Sequence, residues 1–203
     1  RMRMDSGARC KALQRAPESI RIRETLRQLE LEQSRQPEVA ITRDWYTPYD
    51  MQVEEIDEEA LARLPQERAG AVYLIDSSVM EIFPNGTART QVHQAILLKN
   101  KEGRERFAEI TIPGGEGVRL LWARTYSPDR SQTYEPTSIQ DLGSHQAISM
   151  FNLEDGSIID FAYEETASRG LPPGRNFQSQ AFYFGGEDDP MLLSRFAVRV
   201  PPG

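Results

Sequence analysis

Few side chains in this chain could do covalent chemistry. There is one cysteine, Cys10, and there are two histidines, His93 and His145. A nucleophilic site needs a thiol or hydroxyl, a base within hydrogen-bond reach and a third group that orients the base. Cys10 lies in a basic, polar stretch far along the chain from either histidine. His93 stands beside Val92 in the middle of a strand-like run, where a histidine facing solvent or satisfied within a sheet is the plainer reading. Asp141-Leu142-Gly143-Ser144-His145 brings an acid, a hydroxyl and an imidazole into one short loop. Triad members normally converge from distant parts of a fold, so this cluster reads as a loop. Two histidines without a spacing motif make no zinc site, and a lone cysteine makes no internal disulfide. The residue census therefore predicts a chain without a catalytic constellation, a metal site or a cofactor.

Binding chemistry has more candidates. Trp45, Tyr46, Tyr49, Trp122, Tyr126 and Tyr134 could form an aromatic platform for a sugar or a peptide, with Trp45, Tyr46, Trp122 and Tyr126 the leading four. The same rings would serve equally as core or linker-packing residues. Asp50, Glu54, Glu55, Asp57, Glu58 and Glu59 crowd one segment, and Glu187-Asp188-Asp189 sits in a late turn. Neither group has the fixed spacing of a calcium loop, so both read as solvated acidic surface. Pro113-Gly114-Gly115-Glu116-Gly117 is glycine-rich, but it lacks the Lys-Ser/Thr pair and a following helix that a phosphate-cradling loop needs.

The elements that must carry these residues are mostly strands. Ala71–Phe83 and Thr87–Lys99 are two long apolar runs joined at Pro84-Asn85-Gly86, a triplet suited to a hairpin turn. Further short runs follow between turns: Arg104–Ile112, Val118–Tyr126, Ser131–Glu135, Gln146–Leu153, Ser157–Thr166, Asn176–Phe184 and Met191–Val200. Asn100–Gly103 and Pro136–Ser144 read as turn and irregular chain. Many short strands without a βαβ rhythm predict an antiparallel β-sandwich or open barrel. Ahead of it, Pro17, Glu18, Ile22, Leu26 and Leu29 predict a helix that ends at Pro37. Ile20 and Leu31 fall on its opposite side, so it either lies on the domain or stacks in a helical array. Asp57 is a candidate N-cap for Glu58–Leu64, with Ile56 and Leu61 as a hydrophobic staple. The expected divisions are 1–37 as a helical segment, 38–70 as a linker with a short helix, and 71–203 as the sandwich. Val39, Ile41, Trp45, Tyr46 and Tyr49 are too apolar for a free linker, so part of it should pack.

Bulk properties set the remaining bounds. Acidic residues number 31 against 24 basic, for a net charge of −7. That balance disfavours nucleic acid or an anionic lipid surface as the main partner. Mean hydropathy is −0.57, and no apolar run is long enough for a membrane-spanning helix. Arg1–Ala16 has no apolar signal core. A chain that starts on Arg1 and stops on Pro201-Pro202-Gly203 reads as a piece of a longer protein.

The order of features from Ala71 to Pro201 resembles the DUF3857 family of bacterial β-sandwich domains, which accompany transglutaminase-like domains. The resemblance is carried by the opening strand into Pro84-Asn85-Gly86, by Val92–Lys99 with its turn to Gly103, and by Ala123–Tyr126 before Pro128-Asp129. Leu153-Glu154-Asp155-Gly156-Ser157-Ile158-Ile159-Asp160-Phe161-Ala162-Tyr163 and Leu193-Ser194-Arg195-Phe196-Ala197-Val198-Arg199-Val200-Pro201 carry it further. Arg130 departs from the pattern, standing where the family often has glycine after the aspartate of the Pro-Asp turn. The resemblance implies a non-catalytic module, extracytoplasmic, with a papain-like Cys-His-Asp domain beyond Gly203 and a helical-repeat domain possible on the N-terminal side. The competing expectation is a carbohydrate- or peptide-binding module. A hydrolase built on Ser144 and His145 would require a hydroxyl, His145 and a buried carboxylate to meet.

Overall fold

In the computed structural model the chain divides into two units, Arg1–Thr42 and Arg43–Gly203. The structure describes residues 45–64, 69–83, 87–167, 182–184 and 189–200, all within the second unit. The expected N-terminal helix, Cys10, Pro84-Asn85-Gly86, most of the expected Asn176–Phe184 strand and Glu187-Asp188 lie outside the described residues.

The long hairpin forms as its residue pattern requires. Strand β1 (Ala71–Ile82) pairs antiparallel with β2 (Ala88–Leu98), from Ala71 against Leu98 to Ile82 against Ala88, with a slip between Tyr73 and Ile75. After β2 come a short helix α2 (Lys101–Arg106), β3 (Glu109–Pro113), β4 (Val118–Tyr126), β5 (Thr133–Tyr134), β6 (Ser138–Asp141), β7 (His145–Ser149), β8 (Ile158–Ala167) and β9 (Ser194–Arg199). Helix α1 (Glu58–Ala62) precedes β1. Among the described residues, the larger sheet has the order β5-β4-β8-β2-β1-β9 and the smaller has the order β3-β7-β6. The fold is mainly β, in two sheets, and neither closes into a barrel.

Three expectations are corrected. Asn100–Gly103 is more than a turn. The Asn100 side chain accepts the Gly103 amide at 3.2 Å and starts α2, so the next strand begins at Glu109 rather than Arg104. Within Pro136–Ser144, Ser138–Asp141 is a strand, held by β7 in a tight hairpin. Among the described residues the pairing is antiparallel except along the end of the chain, where the Tyr73–Met191 bridge and β9 run parallel to β1.

The smaller sheet covers one face of the larger. Ile110, Ile112 and Ile148 pack there on Ile96, Leu98, Ile159 and Phe161. The opposite face is covered by a strap, Trp45–Leu64, which ends in α1. The Asp57 side chain accepts the Glu59 and Ala60 amides at 2.9 and 3.2 Å, so Asp57 is the N-cap. Ile56 and Leu61, on either side of that cap, are buried in one cluster with Val53, Val72, Leu74 and Ile75. Trp45 and Tyr46 pack on Val79. The apolar residues from Trp45 to Tyr49 are thus attached to the sheet, as a strap across it.

Candidate functional site

Alternation along a strand sends every second side chain to the same face. On the strap-covered face, this rule builds a grid of polar groups. His93 on β2 stands opposite Ala162 on β8, and Ala162 stands opposite Trp122 on β4. One step along, Ala95 faces Asp160, and Asp160 faces Arg124. The two alanines leave room in each row. Over Ala162 the His93 and Trp122 rings meet edge to face, with centroids 5.3 Å apart.

Asp160 is the hub of this grid. One carboxylate oxygen accepts from His93 Nε2 at 2.8 Å and from the Trp122 indole at 3.1 Å. The other accepts from Arg124, with both guanidinium contacts at 2.8 Å. His93 and Asp160 are only 2% and 1% exposed by side chain. Burial alone would raise the Asp160 pKa; the His93 bond and charge, the indole and Arg124 overcome it and hold the carboxyl below its ordinary value. A carboxylate can only accept, so His93 Nε2 is the donor in this bond. His93 Nδ1 is buried and has no partner among the described residues.

The neighbouring hydroxyl is Ser77 on β1, directly opposite His93 in register. Ser77, His93 and Asp160 therefore lie on three adjacent strands in the order of a hydrolytic triad. They are not connected as one. Ser77 Oγ accepts from Arg195 Nε and a terminal nitrogen at 3.1 and 2.9 Å, and no hydrogen bond joins it to His93. Ser77 is fully buried. The Tyr46 hydroxyl lies near Ser77 and Arg195 without a well-formed hydrogen bond. Burial is the largest influence on its pKa and raises it against the pull of Ser77 and Arg195.

Arginines pin the strap over this ground. Arg195 donates to the Tyr49 carbonyl and Arg199 to the Trp45 carbonyl, the latter at 2.8 Å. Arg89 lies 4.4 Å over the Trp45 ring and is paired with Glu81 at 2.6 Å. Arg130 reaches Glu58 at 2.6 Å. The acidic segment thus supplies a helix cap at Asp57 and an ion pair at Glu58.

The sequence-predicted binding residues fall on this face. Trp45, Tyr46 and Tyr126 are buried, and Trp122 is half-buried against His93 and Asp160. Trp45 and Tyr46 are carried by the strap itself and Trp122 and Tyr126 by β4, so a flat sugar-stacking surface made from these four rings would require the strap and its two rings to rearrange. The second histidine is placed differently. Ser144 Oγ lies 3.1 Å from His145 Nδ1, but the nearby Asp141 is exposed and its carboxylate accepts the Gly143 amide at 2.8 Å. Hydroxyl and imidazole meet there without a buried carboxylate. In the late acidic turn, Asp189 is held by Arg106 at 2.5 Å. Asp160, the hub, was not singled out by sequence reasoning. Its signal is a carboxylate inside the run Ile158-Ile159-Asp160-Phe161, where a buried charge must find partners.

Residues 84–203 match the family model described as a domain of unknown function with solved structure, DUF3857. The search of curated proteins gives no match. Among solved structures, a candidate protease from Parabacteroides distasonis aligns at 13% identity and a TM-score of 0.43, over 51% of this chain and 23% of that one. An M1 zinc metallopeptidase from Deinococcus radiodurans aligns at 15% identity and a TM-score of 0.31, over 64% and 32%. Legionella pneumophila aminopeptidase A aligns at 6% identity and 0.28, over 47% and 10%. The chain therefore spans a third or less of these proteins.

Proposed function

Because the chain belongs to the DUF3857 family, we propose that it is a non-catalytic interaction domain of a larger bacterial protein. In this reading it positions or regulates an adjacent transglutaminase-like domain C-terminal to Gly203, with a helical-repeat neighbour on the N-terminal side. One observation supports the reading above others. Of the groups that could do acid-base chemistry, His93 and Asp160 are buried under the strap, with Asp160 fully engaged by His93, Trp122 and Arg124, and Ser144–His145 lacks a buried carboxylate. A buried, cross-linked cluster of this kind stiffens a sheet face rather than meeting a substrate.

Reading the gene beyond the Gly203 codon should reveal a Cys-His-Asp domain. Removing residues 1–203 from the full-length protein should then change the turnover of that domain on a peptide-glutamine substrate. Unchanged turnover, or a downstream sequence of another class, would overturn the reading. So would ester or peptide hydrolysis by the isolated chain that disappears in His93→Ala or Ser144→Ala. The alternative is a glycan- or peptide-binding module using Trp45, Tyr46, Trp122 and Tyr126. It predicts retention of the chain on glycan or cell-wall peptide arrays, lost in Trp122→Ala.

A further inference from the structure

The smaller sheet ends on β6, and among the described residues no strand pairs with its outer edge. The turn into β7 is closed by the Leu142 amide, which donates to the His145 carbonyl at 2.9 Å. In an antiparallel ladder, hydrogen-bonded and open pairs alternate. With Leu142 and His145 bonded, Gln140–Ala147 and Ser138–Ser149 are the bonded pairs. Ile139 and Asp141 therefore turn their backbone N–H and C=O groups outward.

Several exposed side chains around this edge are apolar. Ile139 stands beside the fully buried Ile148 in register, yet is itself 53% exposed. Phe151 is 49% exposed and Leu142 54%. The Tyr134 ring meets Phe151 edge to face at 6.0 Å. The opposite edge of the same sheet, β3, differs: it exposes Glu109, Thr111 and Pro113 and turns both isoleucines inward. That is a guarded edge, whereas Ser138–Asp141 carries a single charge, Asp141, and no lysine or proline to repel a partner strand. Charge narrows the partner. Ser131 through Asn152 contains Glu135 and Asp141 and no lysine or arginine. A second copy of this chain would bring an edge of the same sign.

We propose that β6 accepts an extended peptide from another protein, added antiparallel, with an apolar residue opposite Ile139 and a lysine or arginine opposite Asp141. The proposal rests on reading the chain as an interaction domain and names the surface it uses. The incoming strand takes the outward groups of Ile139, covers Ile139 and Phe151, and sets its cation against the Asp141 carboxylate. This is strand addition, in which backbone bonds supply affinity and alternate side chains supply choice.

The test uses the whole chain and the synthetic peptide acetyl-Ser-Lys-Thr-Val-Thr-Ser-amide. With the peptide in millimolar excess, amide exchange at Ile139 and Asp141 should slow at least about fivefold, while the β3 edge stays unchanged. N-methylation of the peptide valine should abolish the effect. Ile139→Pro removes the outward N–H without breaking a ladder bond to β7, so it should fold and lose binding; if it does not fold, Ile139→Thr should fold and bind several-fold more weakly. Asp141→Lys should reverse the preference toward a glutamate-containing peptide. Unchanged exchange with the peptide, or an N-methylated peptide that binds equally well, would overturn the proposal. So would protection that rises with protein concentration alone, which would make a second copy the occupant. The turnover comparison removes all of residues 1–203 and uses no peptide, so its outcome is read separately from peptide binding.

Discussion

Asp160 illustrates how one charge inside a sheet commands its neighbours. It lies between Ile159 and Phe161, whose side chains enter the opposite core, while it faces His93, Trp122 and Arg124. Asp160→Asn keeps the shape but removes the charge that balances Arg124. Arg124 keeps 31% of its side chain exposed, so the cost should fall below the ~3–5 kcal/mol typical of a fully buried pair, and the urea midpoint should drop. The pH dependence follows from the lowered pKa of Asp160. Near the ordinary aspartate range the unfolded chain binds this proton more readily than the folded one. The stabilisation is therefore complete above that range and is lost as pH falls through the depressed folded value. Asp129 adds to the same acid limb. Bonds from Ser127 and Ser131 bring its pKa down to about 2. Measured against pH, Asp160→Asn should flatten the acid limb of stability relative to the parent chain. The sequence offered His93 as a strand residue either facing solvent or satisfied in a sheet; it is buried, with Nε2 bonded to Asp160. It did not offer the partner, because Asp160 is brought beside His93 by strand pairing rather than by closeness in the chain.

At the scale of elements, local chemistry was legible where it acts over a few residues. The Asp57 cap, its Ile56–Leu61 staple and the β1–β2 hairpin all follow from short patterns. Helix α2 did not, because Asn100-Lys101-Glu102-Gly103 looks like a turn when glycine is taken as a breaker. Gly103 is there for a different reason. A Cβ at Gly103 would overlap the Gly70 carbonyl, so glycine lets the helix approach the start of β1 closely. Gly103→Ala should favour an isolated helix yet destabilise the protein by ~1–3 kcal/mol, as overpacking does, read by thermal or denaturant unfolding. The strap was expected to pack, but its fastening was out of reach, since Arg195 and Arg199 come from the other end of the chain. Replacing both with alanine should speed amide exchange in residues 45–64 by about tenfold or more, the scale of lost charge-assisted bonds. Exchange in β2 and β8 should stay slow.

For the whole molecule, class and sheet-rich content were readable from turn spacing and apolar runs. The order β5-β4-β8-β2-β1-β9 was not, because order depends on which strand faces complement each other across long separations. The parallel docking of β9 is the clearest case, since the chain between β8 and β9 sets no direction that spacing could reveal. The family match begins at residue 84, beyond β1. A fragment of residues 84–203 would leave β2 and β9 without the strand between them, and should lack cooperative unfolding by circular dichroism. Residues 43–203 should retain it. The contact between Arg199 and the Trp45 carbonyl also has a mechanical meaning. It places the first described residue of the strap and the last residue of the closing strand at one corner of the larger sheet. Tension drawn through those two points would unzip strap and strand rung by rung from that corner, instead of loading every rung of the sheet at once.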